Sequence, residues 1–208
     1  MKDLSIAKFA EITASKRAVP GGGSSAALCG GLAGALVEMV ANLTVGNKRY
    51  AESEEKMKIA RDRALILRQA LLDGIEKDSN AYSAVMDAYR LPKSGEEEIR
   101  LRNTAVQEGL KKAARVPMEI ASRAYDVLEL SGEVVRHGNK NAKTDGLVSA
   151  MMARTAVLGA LLNVKTNLEL IEDEDFVRVM SQKVEELRSG CILRESEILA
   201  GAGFRNHV

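Results

Sequence analysis

Acidic and amide side chains interrupt apolar helix patterns at several points of the chain. Asp78 lies in a stripe of apolar and small residues, spaced by three and four, that runs from Leu67 to Tyr89. A carboxylate on a buried helix face costs several kcal/mol unless it is paired or protonated. The pattern therefore indicates either a general acid or base with a raised pKa, or a carboxylate held in a structural ion pair or hydrogen bond.

Two further charged residues stand near predicted helix ends. Lys93 follows a Leu-Pro dipeptide beyond the end of the helix that carries Asp78, where it can reach a site or face solvent. Asp145 closes the segment GNKNAKTD, residues 138–145, and its simplest role is to cap the helix that follows. Asn139 and Asn141 in that segment suit turn conformations.

Asn163 and Asn167 lie one turn apart on the predicted helix that contains LGALLNVKTNLEL. A buried amide needs partners for two donors and one acceptor. Those partners are either backbone groups of a neighbouring helix or a flat heterocycle with the same alternation of donors and acceptors.

A glycine run, Gly21, Gly22 and Gly23, precedes the serines Ser24 and Ser25 and a small-residue helix. A GxGxxA pattern opens dinucleotide-binding folds only after a strand in a βαβ unit, and this chain offers no such strand. Glycines allow close approach, and the N–H groups at a helix N-terminus attract a carbonyl or an anion. The run is interpreted either as a ligand loop or as a helix start capped by one of the serines.

The same helix carries small residues every four positions, at Ala26, Gly30 and Gly34. Such spacing allows another helix to approach closely. The partner is either a core helix of the same chain or the same helix of a second subunit, and we expect a homodimer or higher homo-oligomer.

The periodicity predicts an all-α fold: a single-domain bundle of about six helices spanning residues 1–208. The predicted helices cover about residues 3–14, the glycine run to about 45, 52–89, 94–130, 145–170 and 173–199. Pro117 falls inside the fourth, where it must kink or restart the helix. Residues 131–141 are predicted to form a loop.

Composition excludes several classes of function. Thirty basic and 29 acidic residues give a net charge of +1, which argues against nucleic acid or a membrane surface as partner. Two cysteines and two histidines lack the spacing of a disulfide framework or a metal site. The apolar run from Ala26 to Val37 is too short to span a bilayer, and the N-terminus does not resemble a signal peptide. A cytoplasmic protein is expected.

Six segments, in this order, resemble motifs of the cyclodeaminase/cyclohydrolase family. That family includes the C-terminal domain of formimidoyltransferase-cyclodeaminase and stand-alone methenyltetrahydrofolate cyclohydrolases. The segments are PGGGSSAAL, MVANLTVGNKRY, DSNAYSAVMDAYRLPK, KKAARVPMEIA, GNKNAKTD and GALLNVKTNLEL. The resemblance implies an all-helical, oligomeric, folate-binding enzyme with no metal or prosthetic group, for which a tetrahydrofolate derivative is the substrate.

The resemblance also implies site residues. Asp78, Lys93 and Asp145 match the family's acidic and LPK motifs and are the expected catalytic residues. The motifs assign no chemical roles, so we infer these from the residues: Asp78 as base, since its apolar stripe should raise its pKa, and Asp145 stabilising a cationic carbon. Lys93 would either hold the carboxylates ionised or meet the glutamate tail of the substrate. Matches to the glycine loop and to recurrent asparagines give the expected substrate-binding residues, which are Gly21, Gly22, Gly23, Ser24, Asn139, Asn163 and Asn167.

Three functions remain open from the sequence. Hydrolysis of 5,10-methenyltetrahydrofolate to 10-formyltetrahydrofolate is favoured, because the chain contains no formimidoyltransferase domain. The alternative within the family converts 5-formiminotetrahydrofolate to the methenyl compound and ammonia. A non-catalytic helical oligomer or adaptor is the alternative of another class, and it leaves the polar residues in apolar stripes unexplained.

Overall fold

Amphipathic and apolar runs fold into six α-helices in the computed structural model, which describes residues 1–203. The helices are α1 (Ile6–Thr13), α2 (Gly22–Asn42), α3 (Glu54–Tyr89), α4 (Glu96–His137), α5 (Lys143–Leu168) and α6 (Glu174–Gly201). Short 3-10 helices, Lys48–Ser53 and Lys140–Ala142, precede α3 and α5. No β-strand occurs in residues 1–203, so the all-α prediction is confirmed.

Helix α2 lies between α3 and α5 and packs on α4 with its inner face. Its small residues make this close packing possible: a Cβ added at Gly30 would lie 3.2 Å from Leu71 of α3 and 3.4 Å from Ala156 of α5. Gly34 lies against the backbone of Arg68 in the same way. The small-residue spacing therefore serves packing against core helices of the same chain, which is the first of the two alternatives predicted from the sequence.

The chain direction reverses between α2 and α5. Gly22, at the start of α2, lies beside Asn163 near the end of α5. Ala33 lies further along α2, and its carbonyl accepts a hydrogen bond from Ser149 Oγ, near the start of α5, at 2.8 Å. The two helices are therefore antiparallel, and residues near the two ends of α5 are separated by most of its length.

Helix α4 runs through Pro117 without interruption and continues to His137. The prediction that residues 131–141 form a loop is wrong for the segment up to His137. Ser131 is fully buried and its Oγ donates to the carbonyl of Val127 at 2.8 Å, which satisfies it inside a helix. Gly132 packs closely against α6, since a Cβ added at this position would lie 3.2 Å from Ile198. This packing holds the residue in the helix.

Two segments, Gly22–Asn42 and Lys140–Leu168, are long and apolar enough by composition to cross a membrane. The most apolar window is 56% buried inside the chain for the first segment and 44% buried for the second. Core positions of these helices, such as Val37 and Val157, are inaccessible to solvent. Part of their apolar surface nevertheless remains uncovered by the chain itself.

Candidate functional site

A cavity of about 370 Å³ lies where the start of α2, the C-terminal half of α3, the middle of α4 and the end of α5 meet. Its polar lining combines the glycine run with a carboxylate, two amides and two phenols, and its apolar lining comes mainly from α3 and α4. The lining residues are Ala18, Val19, Gly21, Gly22, Gly23, Asp78, Ala81, Tyr82, Val85, Met86, Tyr89, Leu110, Ala113, Asn163, Thr166, Asn167 and Leu170.

Asp78 is the only acidic residue that lines this cavity among residues 1–203. The Asp78 side chain is half-buried, and burial, the largest influence, raises the pKa of its carboxyl. The hydroxyl and the backbone N–H of Ser24 act in the opposite direction by stabilising the charged form. Within residues 1–203 the carboxylate therefore has a hydrogen-bonded partner and no ion-pair partner, and it remains suited to proton transfer.

Gly23 is the residue that allows Asp78 to approach α2. A Cβ at position 23 would lie 2.7 Å from Asp78 Cγ and would overlap the carboxylate oxygens. Gly21 takes the N-cap position of α2 without any side-chain cap. The interpretation that Ser24 or Ser25 caps this helix is therefore wrong, since Ser25 Oγ instead donates to the Gly21 carbonyl at 2.9 Å.

Asn163 and Asn167 form the α5 wall of the cavity, and a proline explains how one of them is held. Pro117 has no N–H to donate to the carbonyl of Ala113, four residues earlier in α4. That carbonyl accepts a hydrogen bond from Asn167 Nδ2 at 3.1 Å. Asn167 Nδ2 also lies 2.8 Å from the Asn163 carbonyl, and Asn163 Nδ2 donates to the Gly159 carbonyl at 2.9 Å. With both nitrogens engaged by backbone, the amide oxygens are the groups left to accept from a ligand.

Two tyrosines complete the cavity, and the sequence argument did not select them as site residues. Tyr82 is 43% exposed and Tyr89 is 39% exposed, which is high for aromatic rings beside an apolar surface. The guanidinium of Arg102 lies 5.5 Å from the centroid of the Tyr89 ring. The signal in the sequence was their place on the Asp78 stripe, one and three turns further along α3.

Residues 5–186 match the family model described as formiminotransferase-cyclodeaminase. The chain belongs to this family. It is 37% identical over 182 residues to a methenyltetrahydrofolate cyclohydrolase of Methylorubrum extorquens, an alignment that covers 88% of both proteins. It is 36% identical to the formimidoyltransferase-cyclodeaminase of Gallus gallus over 89% of this chain, which spans only 35% of that longer protein.

A solved structure supports the same assignment. The crystal structure of formiminotetrahydrofolate cyclodeaminase from Thermotoga maritima superposes with a TM-score of 0.84 at 33% sequence identity. The superposition covers 96% of this chain and 98% of that one. This chain therefore has the fold of a solved formiminotetrahydrofolate cyclodeaminase.

Four residues predicted from the family motifs do not line the cavity of a single chain: Ser24, which is buried behind Asp78, and Lys93, Asn139 and Asp145, which lie away from it. Lys93 is in the exposed loop of residues 90–95, four residues beyond Tyr89. Asp145 is in the first turn of α5, eighteen residues or about 27 Å of helix from Asn163. The N-cap of α5 is Ala142, so Asp145 does not cap this helix.

Asn139 lies at the same remote end and is engaged in structural hydrogen bonds. Its backbone N–H donates to Thr44 Oγ1 at 2.8 Å, and its Nδ2 donates to the Leu43 carbonyl at 2.9 Å. Its Oδ1 accepts from the backbone N–H of Asn141 at 3.0 Å and from the hydroxyl of Tyr50 at 3.3 Å. Asn139 thus joins the end of α2 to the start of α5.

A second cavity, of about 470 Å³, lies between α4, α5 and α6 and contains none of the predicted site residues. Its arginines are matched by acidic neighbours: Arg136 pairs with Glu133, and Arg194 pairs with Glu129 and Glu197. Because these charges are compensated within the chain, the cavity around Asp78 remains the candidate functional site.

Proposed function

We propose that the protein is a methenyltetrahydrofolate cyclohydrolase, which converts 5,10-methenyltetrahydrofolate and water to 10-formyltetrahydrofolate. The observation that carries the proposal is a half-buried carboxylate, Asp78, which has no ion-pair partner in the described part of the chain and lies at a cavity walled by asparagines and tyrosines. The relative with a cyclohydrolase name also matches this chain over 88% of both proteins. The substrate is a reduced folate in either family reaction.

The cavity suits the flat, polar ring system of a folate. Tyr82 and Tyr89 offer ring faces on which an aromatic group stacks. The oxygens of Asn163 and Asn167 accept from N–H groups of a pterin. Gly21 and Gly22 allow the ligand to approach the backbone at the start of α2.

The chemistry needs one group that moves protons. Water adds to the methenyl carbon while Asp78 accepts a proton from it, which gives a tetrahedral carbon bonded to N5, N10 and a hydroxyl. The C–N5 bond then breaks, N5 takes a proton from Asp78, and loss of the hydroxyl proton to solvent forms the formyl C=O. One proton is released overall. A positioned acid–base group contributes about 10²- to 10⁴-fold to such a reaction.

The second candidate is the cyclodeaminase reaction, in which N10 attacks the 5-formimino carbon and ammonia leaves. The superposition on a formiminotetrahydrofolate cyclodeaminase at a TM-score of 0.84 favours it. Asp78 can serve both reactions, because in each of them a base takes a proton from the attacking atom and then gives a proton to the departing nitrogen.

An absorbance assay separates these functions. The purified protein is mixed with 5,10-methenyltetrahydrofolate or with 5-formiminotetrahydrofolate, and the methenyl chromophore is followed against buffer alone. Accelerated loss in the first mixture identifies a cyclohydrolase, and accelerated gain with release of ammonia in the second identifies a cyclodeaminase. No acceleration in either, with no saturable binding of a reduced folate, would refute both and leave the adaptor.

We also propose that the protein is a homodimer through the outer faces of α2 and α5. Both helices pack on α4 with their inner sides, so their outer side chains lie on one surface. The large apolar side chains exposed there are between 40% and 67% accessible: Leu32, Met39, Leu43, Val148, Met151 and Leu162. Contiguous apolar surface of this kind is typical of subunit interfaces.

A two-fold axis perpendicular to α2 and α5 near their midpoints would reverse the two helices in the partner. The partner's start of α5, with Asp145, would then lie beside the Gly22–Asn163 end of this chain. This arrangement supplies the second carboxylate that the cavity of a single chain lacks. In that position Asp145 would stabilise the cationic methenyl carbon. Lys93, at the loop beyond Tyr89, is proposed to meet the glutamate tail of the folate.

Leu32→Arg tests the dimer, because it places a charge in the middle of the proposed interface. We expect a monomer by light scattering, with unchanged helix content and at least a tenfold loss of activity. Ile66→Arg is the matched control, since Ile66 is 66% exposed on α3 away from that face. A Leu32→Arg protein that stays dimeric, or a fully active monomer, would contradict the proposal.

A further inference from the structure

Ser24 lies behind Asp78 and does not line the cavity. Its side chain is fully inaccessible to solvent, and its Oγ donates to Asp78 Oδ2 at 2.8 Å. A second buried serine, Ser79, places its Oγ 3.2 Å from Ser24 Oγ. Both hydroxyls are also within reach of the carbonyl of Ile75, at 3.3 Å from Ser24 and 3.1 Å from Ser79. The two serines and this carbonyl form one hydrogen-bonded group under the carboxylate.

We propose that Ser24 is a positioning residue that holds Asp78 in place in both of its protonation states, with Ser79 as its relay to the backbone. The proposal rests on the proposed function, because it assigns Asp78 to proton transfer. It changes the role expected of Ser24 from contact with the folate to control of the base.

The argument depends on the two-sided chemistry of a hydroxyl, which both donates and accepts. While Asp78 is ionised, Ser24 donates to Oδ2, and such a charge-assisted bond is strong. When that oxygen carries a proton, it donates to Ser24 Oγ instead. Ser24 then turns its own proton to the Ile75 carbonyl or to Ser79 Oγ. No buried group loses its partner in either state, so the carboxyl can gain and lose a proton without moving.

The surroundings of Asp78 leave this role to Ser24. From α2 the carboxylate meets Gly23 and Ser24, and the cavity walls opposite are Leu110 and Ala113 of α4 and the neutral amides of α5. On α3 itself, Tyr82 lines the cavity, while Glu76 pairs with the amino group of Met1 at 3.0 Å. Burial raises the pKa of Asp78, and Ser24 is what lowers it.

Ser24→Ala tests the proposal through the pH profile of the reaction. The base acts when ionised, so activity falls as the pH drops through its pKa. Removing the hydroxyl destabilises the ionised carboxylate of Asp78 and so raises its pKa. We therefore expect the acidic limb of the pH profile of kcat/KM to move to higher pH. We also expect kcat on the plateau to fall about tenfold, as for loss of one hydrogen bond to a charged group, with KM changed less than threefold. In an Asp78→Asn background, Ser24→Ala should have no further effect.

Ser131→Ala is the matched control. Ser131 is also a fully buried serine paired with a second one, Ser149 at 2.8 Å, but this pair lies beside the middle of α2, where Ser149 Oγ donates to the Ala33 carbonyl. The Ser131→Ala substitution should lower stability as Ser24→Ala does, but it should leave the pH profile of kcat/KM unchanged. A Ser24→Ala protein with raised KM and normal kcat would show that Ser24 binds the folate. An unmoved acidic limb would show that it does not act through Asp78.

Titration of the Asp78 carboxyl carbon by ¹³C NMR keeps this test separate from the proposed function. A higher pKa in Ser24→Ala than in wild type supports the positioning role whether or not either folate is turned over. An equal pKa in the two proteins overturns it, even if the wild type is an active cyclohydrolase.

Discussion

Gly23→Ala is the substitution that most directly tests whether the placement of Asp78 matters. The added Cβ would lie 2.7 Å from Asp78 Cγ, whereas ordinary contacts of a Cβ begin near 3.4 Å. Asp78 Oδ1 would be nearer still, at 2.2 Å, so the carboxylate must retreat by about 1.2 Å, and its hydrogen bond to Ser24 must lengthen or break. A displacement of about 1 Å in a catalytic group can cost about 10²-fold in rate. Such a loss corresponds to about 2.7 kcal/mol in the activation free energy.

The assay is steady-state turnover of 5,10-methenyltetrahydrofolate across a pH series. We expect kcat to fall about 10²-fold, with the circular dichroism spectrum unchanged. Gly31→Ala is the matched control, because Gly31 lies on the same helix and its added Cβ meets the flexible side chain of Leu72, with Cδ2 at 2.9 Å, while the Arg68 carbonyl lies at an ordinary contact distance of 3.8 Å. It reports the general effect of alanine for glycine in α2. A Gly23→Ala enzyme with wild-type kcat would refute the reasoning from Asp78 geometry.

Two further predictions concern the base and the α5 wall. Asp78→Asn should lower kcat by at least about 10²-fold with intact assembly. Burial raises the pKa of Asp78 in the folded protein above its value in the unfolded chain. The ionised carboxylate therefore lowers the free energy of unfolding at pH values above the folded pKa, and it has no effect on stability below the unfolded pKa. Asp78→Asn should therefore unfold at a higher temperature than wild type at pH 8, and the difference should shrink as the pH falls; a lower melting temperature at pH 8 would contradict this. Asn167→Leu should cost about 1–3 kcal/mol in urea denaturation, because it leaves the carbonyl of Ala113 unpaired. In a Pro117→Ala background, where residue 117 supplies its own N–H, that cost should largely disappear; an unchanged cost would show that Asn167 acts otherwise.

Much of the site could be predicted from the sequence because its signals are local. A carboxylate in an apolar stripe and three consecutive glycines before a helix are visible without coordinates, and the structure brings Asp78 and Gly23 into contact. Asn163 and Asn167 were likewise marked by a one-turn spacing. The predicted backbone partner on a neighbouring helix is observed for Asn167, which bonds the Ala113 carbonyl of α4, whereas Asn163 bonds the Gly159 carbonyl of its own helix.

Other features could not be read from local patterns. Ser24 looked like a helix cap, but the cap position falls on Gly21 and the serine faces Asp78, a contact across 54 residues of sequence. The end of α4 was placed too early because Ser131 and Gly132 disfavour a helix unless they are packed. Their burial against Ser149 and Ile198 reverses that preference.

The amino-acid sequence by itself determined the all-α class, the family and the residues able to do chemistry, because helical periodicity and motif order are properties of neighbouring residues. Only the tertiary structure decided which of those residues meet. Asp145 and Asn163 share one helix, yet they lie about 27 Å apart, since a helix separates its residues along its axis. Antiparallel packing of α2 against α3 and α5 brought together Gly23, Asp78 and Asn163. Their distances in sequence carry no record of that packing.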